Sequence, residues 1–263
     1  MSEPVLMRET KGKIAVLTLN RPLALNALSD QLLAALSQAL ADLATDPVVR
    51  VVVLRGAGRS FCAGHDLKEM QAARSTGDNG RDYFADLFDR CSAVMLGLRA
   101  LPQPVIAEIH GVAAAAGCQL VASCDLAVAA DTARFGVNGV NIGLFCSTPM
   151  VPLSRNIPAK PALEMLLTGE MIGAARAREL GLINRIAAPD QLQAETMALA
   201  DTIAAKLGAA VRIGKRAFYD QIALDEAAAY ELAARVMVEN MAWRDTGEGI
   251  DAFLAKRKPD WPA

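Results

Sequence analysis

The stretch His110-Gly111-Val112-Ala113-Ala114-Ala115-Ala116-Gly117-Cys118-Gln119-Leu120 decides how this chain is read. It follows Val105 to Ile109, an unbroken apolar run of the kind that forms a strand buried on both faces. Its second half, from Ala116 through Ala122, opens a helix. Small residues at a strand-to-helix passage let backbone approach a ligand closely, and the free N–H groups of the helix start point at it. A second stretch has the same build. Phe61-Cys62-Ala63-Gly64-His65-Asp66-Leu67 follows the apolar run Val48 to Leu54, and Asp66 stands where an N-cap would serve the helix continuing through Leu67-Lys68-Glu69-Met70. Two such amides converging on one oxygen would make an oxyanion hole.

Working outward, Val5 to Arg8 and Lys13 to Leu19 read as strands of a hairpin around Lys11-Gly12. Ser29 caps a helix with Leu32, Leu33, Leu36 and Leu40 at helical spacing, stopped by Asp46-Pro47. Asp125 to Ala130 is a further strand, and Tyr83 to Leu101 a further helix after the polar stretch Arg74 to Gly80. Within that stretch, Ser75-Thr76-Gly77-Asp78-Asn79-Gly80 has the composition of a flexible loop. Strands and helices alternate, which predicts an α/β layered core; from Asp190 onward the pattern is almost purely helical.

At 263 residues the chain is long enough to bury about 70–75% of its unfolded surface without a staple. With 27 basic and 29 acidic residues, the net charge of −2 leaves no electrostatic footprint for nucleic acid and no polybasic membrane patch. No apolar run reaches the roughly 20 residues of a membrane helix. Five cysteines, Cys62, Cys91, Cys118, Cys124 and Cys146, form no CxxC pair and have two histidines for company. That predicts reduced thiols in a cytosolic or organelle-matrix protein, with neither a disulfide frame nor a metal site. Met1-Ser2-Glu3-Pro4 lacks a basic region followed by an apolar core, so the expected location is cytoplasmic.

The two opening stretches resemble the crotonase (enoyl-CoA hydratase/isomerase) family, whose members polarise an acyl-CoA carbonyl between two backbone N–H groups. The similarity runs nearly the whole length, through Asn20-Arg21-Pro22 and Leu25-Asn26-Ala27-Leu28 to Glu164-Met165-Leu166-Leu167-Thr168-Gly169-Glu170 and Gly181-Leu182-Ile183-Asn184. The resemblance implies a spiral of ββα turns over residues 1–195 and a helical region over 196–263 that assembles homotrimers or dimers of trimers. It also places the two amide donors at His65 and Ala116. Acyl-CoA is the implied partner, with CoA entering as part of the substrate and no separate cofactor. Contacts to it are implied at Ala24, Ala63, Asp66, Leu67, Lys68 and Lys256.

The same resemblance exposes two departures. Where the hydratases carry one catalytic glutamate this chain has Gln119, and where they carry the second it has Gly139. An amide neither takes nor delivers a proton at useful pH. Each positioned acid or base is worth roughly 10²–10⁴-fold, so hydratase activity is expected to be weak or absent. Asp66, Glu69, Asp78 and Glu108 are the candidate substitute carboxylates, and nothing in the sequence selects one. Asn138, Asn141 and Ser147 would line the acyl end. His110 reads as structural, Cys118 as a core thiol, and the His65 imidazole as facing a cleft or solvent. An alternative reading is a non-catalytic acyl-CoA binding or regulatory module. A peptidase on a related spiral fails for want of a Ser-His-Asp set at these motifs.

Overall fold

A computed structural model describes residues 3–75 and 77–261. Thr76 of the glycine-bearing loop, and Met1 and Ser2 of the N-terminal reading, lie outside the described residues. The elements in chain order are β1 (Leu6–Lys11), β2 (Ile14–Leu19), α1 (Asp30–Ala44), β3 (Val51–Gly56), α2 (Leu67–Ala73) and α3 (Arg81–Ala100). Next come β4 (Val105–Ile109), β5 (Val112–Ala114), α4 (Ala116–Ser123), β6 (Leu126–Ala130) and β7 (Arg134–Gly136). Then follow α5 (Ser147–Asn156), α6 (Ala159–Thr168), β8 (Ile172–Gly173), α7 (Ala174–Leu180) and β9 (Arg185–Ala187). The chain ends in α8 (Leu192–Ala204), α9 (Gly208–Gln221), α10 (Glu226–Met241) and α11 (Arg244–Leu254).

The six-stranded sheet runs β1-β2-β3-β4-β6-β9, with β1 antiparallel to β2 and every other neighbouring pair parallel. A small sheet, β5-β7-β8, stands beside it. The unbroken apolar strands follow from coverage on both faces. Leu17, Leu19, Val52, Leu54, Ala107 and Ile109 share one core cluster with α1, α3 and α4, while Ile14, Val16, Val51, Val53, Ile106 and Val128 form another under α8.

Local chemistry explains the element boundaries. The hairpin turns at Gly12 with φ +58°, and Lys11 pairs with Ile14 across it. The Ser29 hydroxyl accepts the Leu32 N–H at the start of α1. The strand expected from Val48 begins instead at Val51, because the Asp46 carboxylate takes the Val48 and Val49 N–H groups at 2.9 and 3.1 Å and holds them in a turn. The Asp125 carboxylate likewise takes the Val105 N–H at 2.6 Å, and the strand expected from Asp125 starts at Leu126.

Two features of this frame position the cavity described next. Phe61 and Cys62 run alongside β5, with Cys62 bridged to Ala113, so the two small-residue stretches lie side by side. On the other flank His65 is bridged to Leu28, and the Ala63 N–H donates to Leu25 O, which ties the first stretch to the Asn20–Leu28 loop.

Candidate active site

A cavity of about 700 Å³ opens between the 21–27 loop, the 63–70 turn, the start of α4 and the 138–149 segment. Its walls are mostly apolar, among them Leu25, Met70, Phe88, Ile142, Leu144 and Phe145.

The small residues that build it are forced by close approach. A Cβ on Gly64, which has φ +102°, would stand 3.0 Å from the Ala115 Cβ and 3.5 Å from the Ala116 nitrogen. A Cβ on Gly117 would overlap the Cys62 carbonyl. The turn into α4 is held by the Ala115 N–H, which donates to Gly136 O at 2.8 Å, and by the Gln119 N–H, which donates to Ala115 O at 3.0 Å. Ala115 adopts φ 48° and ψ −116° there, a region that glycine enters freely and alanine enters only under strain.

Among the described residues, no hydrogen bond takes up the N–H of His65 or of Ala116. Ala116 is the first residue of α4, where an N–H has no partner within the helix. Both residues line the cavity. Two adjacent donors left open at one apolar cavity can bind a carbonyl or a developing oxyanion.

Asp66 caps α2 by accepting the Lys68 N–H at 3.0 Å, and the Arg21 guanidinium donates to its other oxygen at 2.9 Å. Burial opposes its ionisation, but Arg21 and the Lys68 N–H outweigh that and hold the carboxyl below the usual range. Arg21 is itself fixed by a second donation, to Ala27 O at 2.6 Å. Lys68 and Arg59 are the lining cations with no ion-pair partner among the described residues.

The His65 imidazole faces the cleft rather than solvent. It packs edge-on against Phe88 at 5.6 Å, and both ring nitrogens are shut off from water without a partner. Burial, reinforced by the Arg90 guanidinium, pulls its pKa from 6.5 down to about 4, so the ring is neutral at physiological pH.

Of the residues singled out from sequence, His65, Ala116, Gly139, Ala24, Ala63, Asp66, Leu67 and Lys68 come together at the cavity, as do Asn138, Asn141 and Ser147. Gln119 is buried on α4, 3% exposed, with its side-chain oxygen unpartnered, and is not part of the lining. Lys256 follows α11 and is also outside the lining. The Asn141 amide donates to Gly169 O at 3.3 Å, so it serves the wall.

Gly139 has no space for any side chain. A Cβ there would lie 2.2 Å from Leu144 O and 2.8 Å from the Cys146 sulfur. The segment is closed around it by the Gly139 N–H, which donates to Cys146 Sγ at 3.3 Å, and by the Leu144 N–H, which donates to Gly139 O at 3.0 Å.

Among the described residues, Glu69, Asp78 and Glu108 stay out of the lining. Glu69 accepts the Asp30 N–H at 2.8 Å, Asp78 accepts the Gly80 and Asp82 N–H groups, and Glu108 is buried beside Thr196 of α8, where burial raises its pKa against the pull of Arg55. Among the described lining residues Asp66 is the one carboxylate. His110 is structural, its ring nitrogen bonded to Gly58 O at 2.8 Å. Cys118 is fully buried, and its thiol is pushed up to about 12, as a core residue's should be. Arg59, Phe88 and Cys146 are lining residues that the sequence reading passed over. Each reaches the cavity through tertiary packing, with no local pattern in the sequence to mark it.

The fold and the paired small-residue turns define a class: the chain belongs to the enoyl-CoA hydratase/isomerase family, whose profile matches residues 9–263, and its mixed α/β architecture is a crotonase-like spiral core. It is 47% identical over 258 residues to the human mitochondrial enoyl-CoA hydratase domain-containing protein 3, a match spanning 98% of this chain and 83% of that protein. The mouse counterpart is 46% identical over 262 residues, spanning 99% and 85% of the two chains. The crystal structure of an enoyl-CoA hydratase from Mycobacterium smegmatis superposes with a TM-score of 0.95 at 53% identity, covering 98% and 99% of the two chains. That of the human protein gives 0.93 at 45% identity, covering 98% and 100%.

The expected cytoplasmic location is corrected by these relatives, since the human and mouse proteins are named mitochondrial. Reduced thiols and a near-neutral charge fit a reducing organelle interior as well as they fit the cytoplasm.

Proposed function

We propose that the cavity binds an acyl-CoA thioester, its carbonyl oxygen held between the N–H groups of His65 and Ala116. In this reading the acyl chain lies against Met70, Phe88 and the 142–146 wall, and the CoA phosphates meet Arg59 and Lys68 at the mouth. The observation that carries it is the pair of unclaimed amides at one apolar cavity of matching family. Hydration of an enoyl thioester needs groups that move protons on and off the substrate. With Gln119 and Gly139 at the glutamate positions and Asp66 committed to Arg21, crotonyl-CoA hydration is weak or absent.

Titration calorimetry with butyryl-CoA tests the binding and expects saturation. The ultraviolet absorbance of crotonyl-CoA tests the chemistry, and fast loss of the enoyl signal with enzyme free of contaminants would refute this part. A non-catalytic binding module is favoured as the second reading by the lack of any free carboxylate in the lining. Turnover of any CoA thioester decides against it.

For assembly, exposed Phe218 on α9, Ile222 at its C-cap, and Met237, Val238 and Met241 on α10 support a homotrimer or a dimer of trimers built through the region after residue 195. Light scattering measures this directly. The relatives' names support a mitochondrial setting.

A further inference from the structure

We infer that a second cleft, between α3, α9 and α10, binds an organic polyphosphate of the nucleoside di- or triphosphate type, independently of the proposed acyl-CoA site. The linings of the two cavities have no residue in common.

The second cleft has a volume of about 1280 Å³, against about 700 Å³ for the first. Four guanidinium groups reach it from three helices: Arg99 from α3, Arg155 from α5, and Arg212 and Arg216 from α9. The carboxylates in the lining are Asp220 and Glu239. Asp220 pairs with Arg216 at 3.5 Å, and among the described residues no carboxylate pairs with Arg99, Arg155 or Arg212. In a chain of net charge −2, this local excess of positive charge attracts an anion.

The pattern along α9 shows where that charge is left open. Arg212, Lys215, Arg216 and Tyr219 stand at i, i+3, i+4 and i+7, on one face of the helix. Like charges at that spacing repel, so the stripe costs stability unless something opposes it. For Lys215 the opposition is internal. Its ammonium donates to Asp125 Oδ2 at 2.7 Å, Gln103 O at 3.0 Å and Leu98 O at 3.1 Å, which uses all three of its protons. The other Asp125 oxygen accepts the Tyr219 hydroxyl at 2.8 Å. Lys215 and Asp125 thus form a neutral pair at the cleft wall and are committed to holding α9 on the core. Among the described residues Arg212 has no acidic partner of this kind.

The type of cation and the rings beside it select the ligand class. A guanidinium offers paired N–H donors that match phosphate oxygens two at a time, which an ammonium does not. Trp243, between α10 and α11, lies in the same lining as Tyr219. The Arg99 Cζ sits 4.3 Å from the centroid of the Tyr219 ring, which orients that guanidinium and occupies one face of the tyrosine. Trp243 is the lining ring left to stack on a flat heterocycle. A nucleobase on the indole, with its phosphates among the arginines, uses both features at once.

The experiment titrates the purified full chain with ADP, ATP and inorganic pyrophosphate by calorimetry, with and without saturating butyryl-CoA to fill the first cavity. The expected result is saturable binding of both nucleotides, tighter than pyrophosphate, weaker as salt rises and unaffected by butyryl-CoA. Trp261→Phe leaves Trp243 as the single indole of the chain, and its fluorescence should change on nucleotide binding. Arg212→Ala should weaken that binding roughly 10–100-fold and leave butyryl-CoA affinity unchanged. Arg155→Ala repeats the test from α5. Absence of nucleotide binding overturns the proposal, as it would if a second copy of the chain covered the cleft. So does displacement of the nucleotide by butyryl-CoA, or affinity unchanged in both arginine variants. Pyrophosphate binding as tightly as ADP overturns the nucleoside assignment. If Arg212→Ala does not fold, Arg155→Ala and the wild-type titrations decide.

Discussion

Two sets of positions around the cavity differ in what would supply the proposed chemistry. At 64–65 and 115–116 the proposed cradle uses backbone N–H donors, held where a Cβ on Gly117 would overlap the Cys62 carbonyl and one on Gly64, at φ +102°, would crowd the Ala115 Cβ at 3.0 Å. At 119 and 139 the family's chemistry comes from side chains, and here an amide and a glycine occupy those places. Function carried by backbone is protected by packing, because most substitutions that spoil it also spoil the fold. Function carried by a side chain can vanish while the fold stands. At 139 the loss has gone further, because Leu144 and Cys146 have filled the space a carboxylate would need.

The comparison breaks first, and with the largest effect, at Gly139→Glu. With Leu144 O 2.2 Å from the new Cβ, the 139–146 segment must shift, and a loss above ~3 kcal/mol is expected in urea denaturation, with no gain in crotonyl-CoA hydration. A stable variant with restored hydration would show that the wall is soft and that the two regions do not differ in this way.

A second test uses pH. The His65 ring is held neutral to about pH 4, while in the unfolded chain it binds a proton below about 6.5. The folded state therefore loses stability as pH falls through that window, by up to roughly 3 kcal/mol from this one group. Arg90 of α3, itself paired with Asp30 and Asp86, is the charged neighbour that adds to the burial. His65→Phe removes the titration, so its urea midpoint should fall less than that of wild type between pH 7 and pH 4.5. Equal losses would mean that the ring is hydrated.

Gln119→Glu sharpens the contrast, since it changes charge with almost no change of volume. The Gln119 side-chain oxygen is already buried without a partner, so a carboxylate there should cost ~1–3 kcal/mol at neutral pH and less near pH 4, where it is protonated. Restoring one of two proton-moving groups should raise crotonyl-CoA hydration by less than ~10²-fold. A larger gain would mean that position 139 was never needed.

What sequence could anticipate follows from range. The Ser29 cap, the turn at Gly12 and the apolar strands are written in a few neighbouring residues, and each appears where such chemistry requires. The short strands β5, β7 and β8, of two or three residues each, leave no periodic trace, yet β7 carries the carbonyl that anchors Ala115. The paired turns were legible because small residues are conspicuous in sequence. The closure over Gly139 was not, since it depends on a loop that returns to meet it at Leu144 and Cys146. The neutrality of His65 likewise depends on Phe88 and Arg90, some two dozen residues away.

The smallest effect concerns Ala115 and has the opposite sign. A non-glycine residue at φ 48° and ψ −116° carries strain of ~1–3 kcal/mol, tolerated where the surroundings over-determine the backbone. Here the Ala115 N–H bonded to Gly136 O, the Gln119 N–H bonded to Ala115 O, and Gly117 pressed on Cys62 supply that determination. Ala115→Gly relieves the strain but frees the unfolded chain, at ~0.5–1 kcal/mol, and removes a methyl packed on the core. The net expectation is a gain of about 0.5 kcal/mol, read as a higher urea midpoint at unchanged slope. A loss of stability would mean that the alanine methyl matters more than the backbone angle, and that the cradle is held by side-chain packing after all.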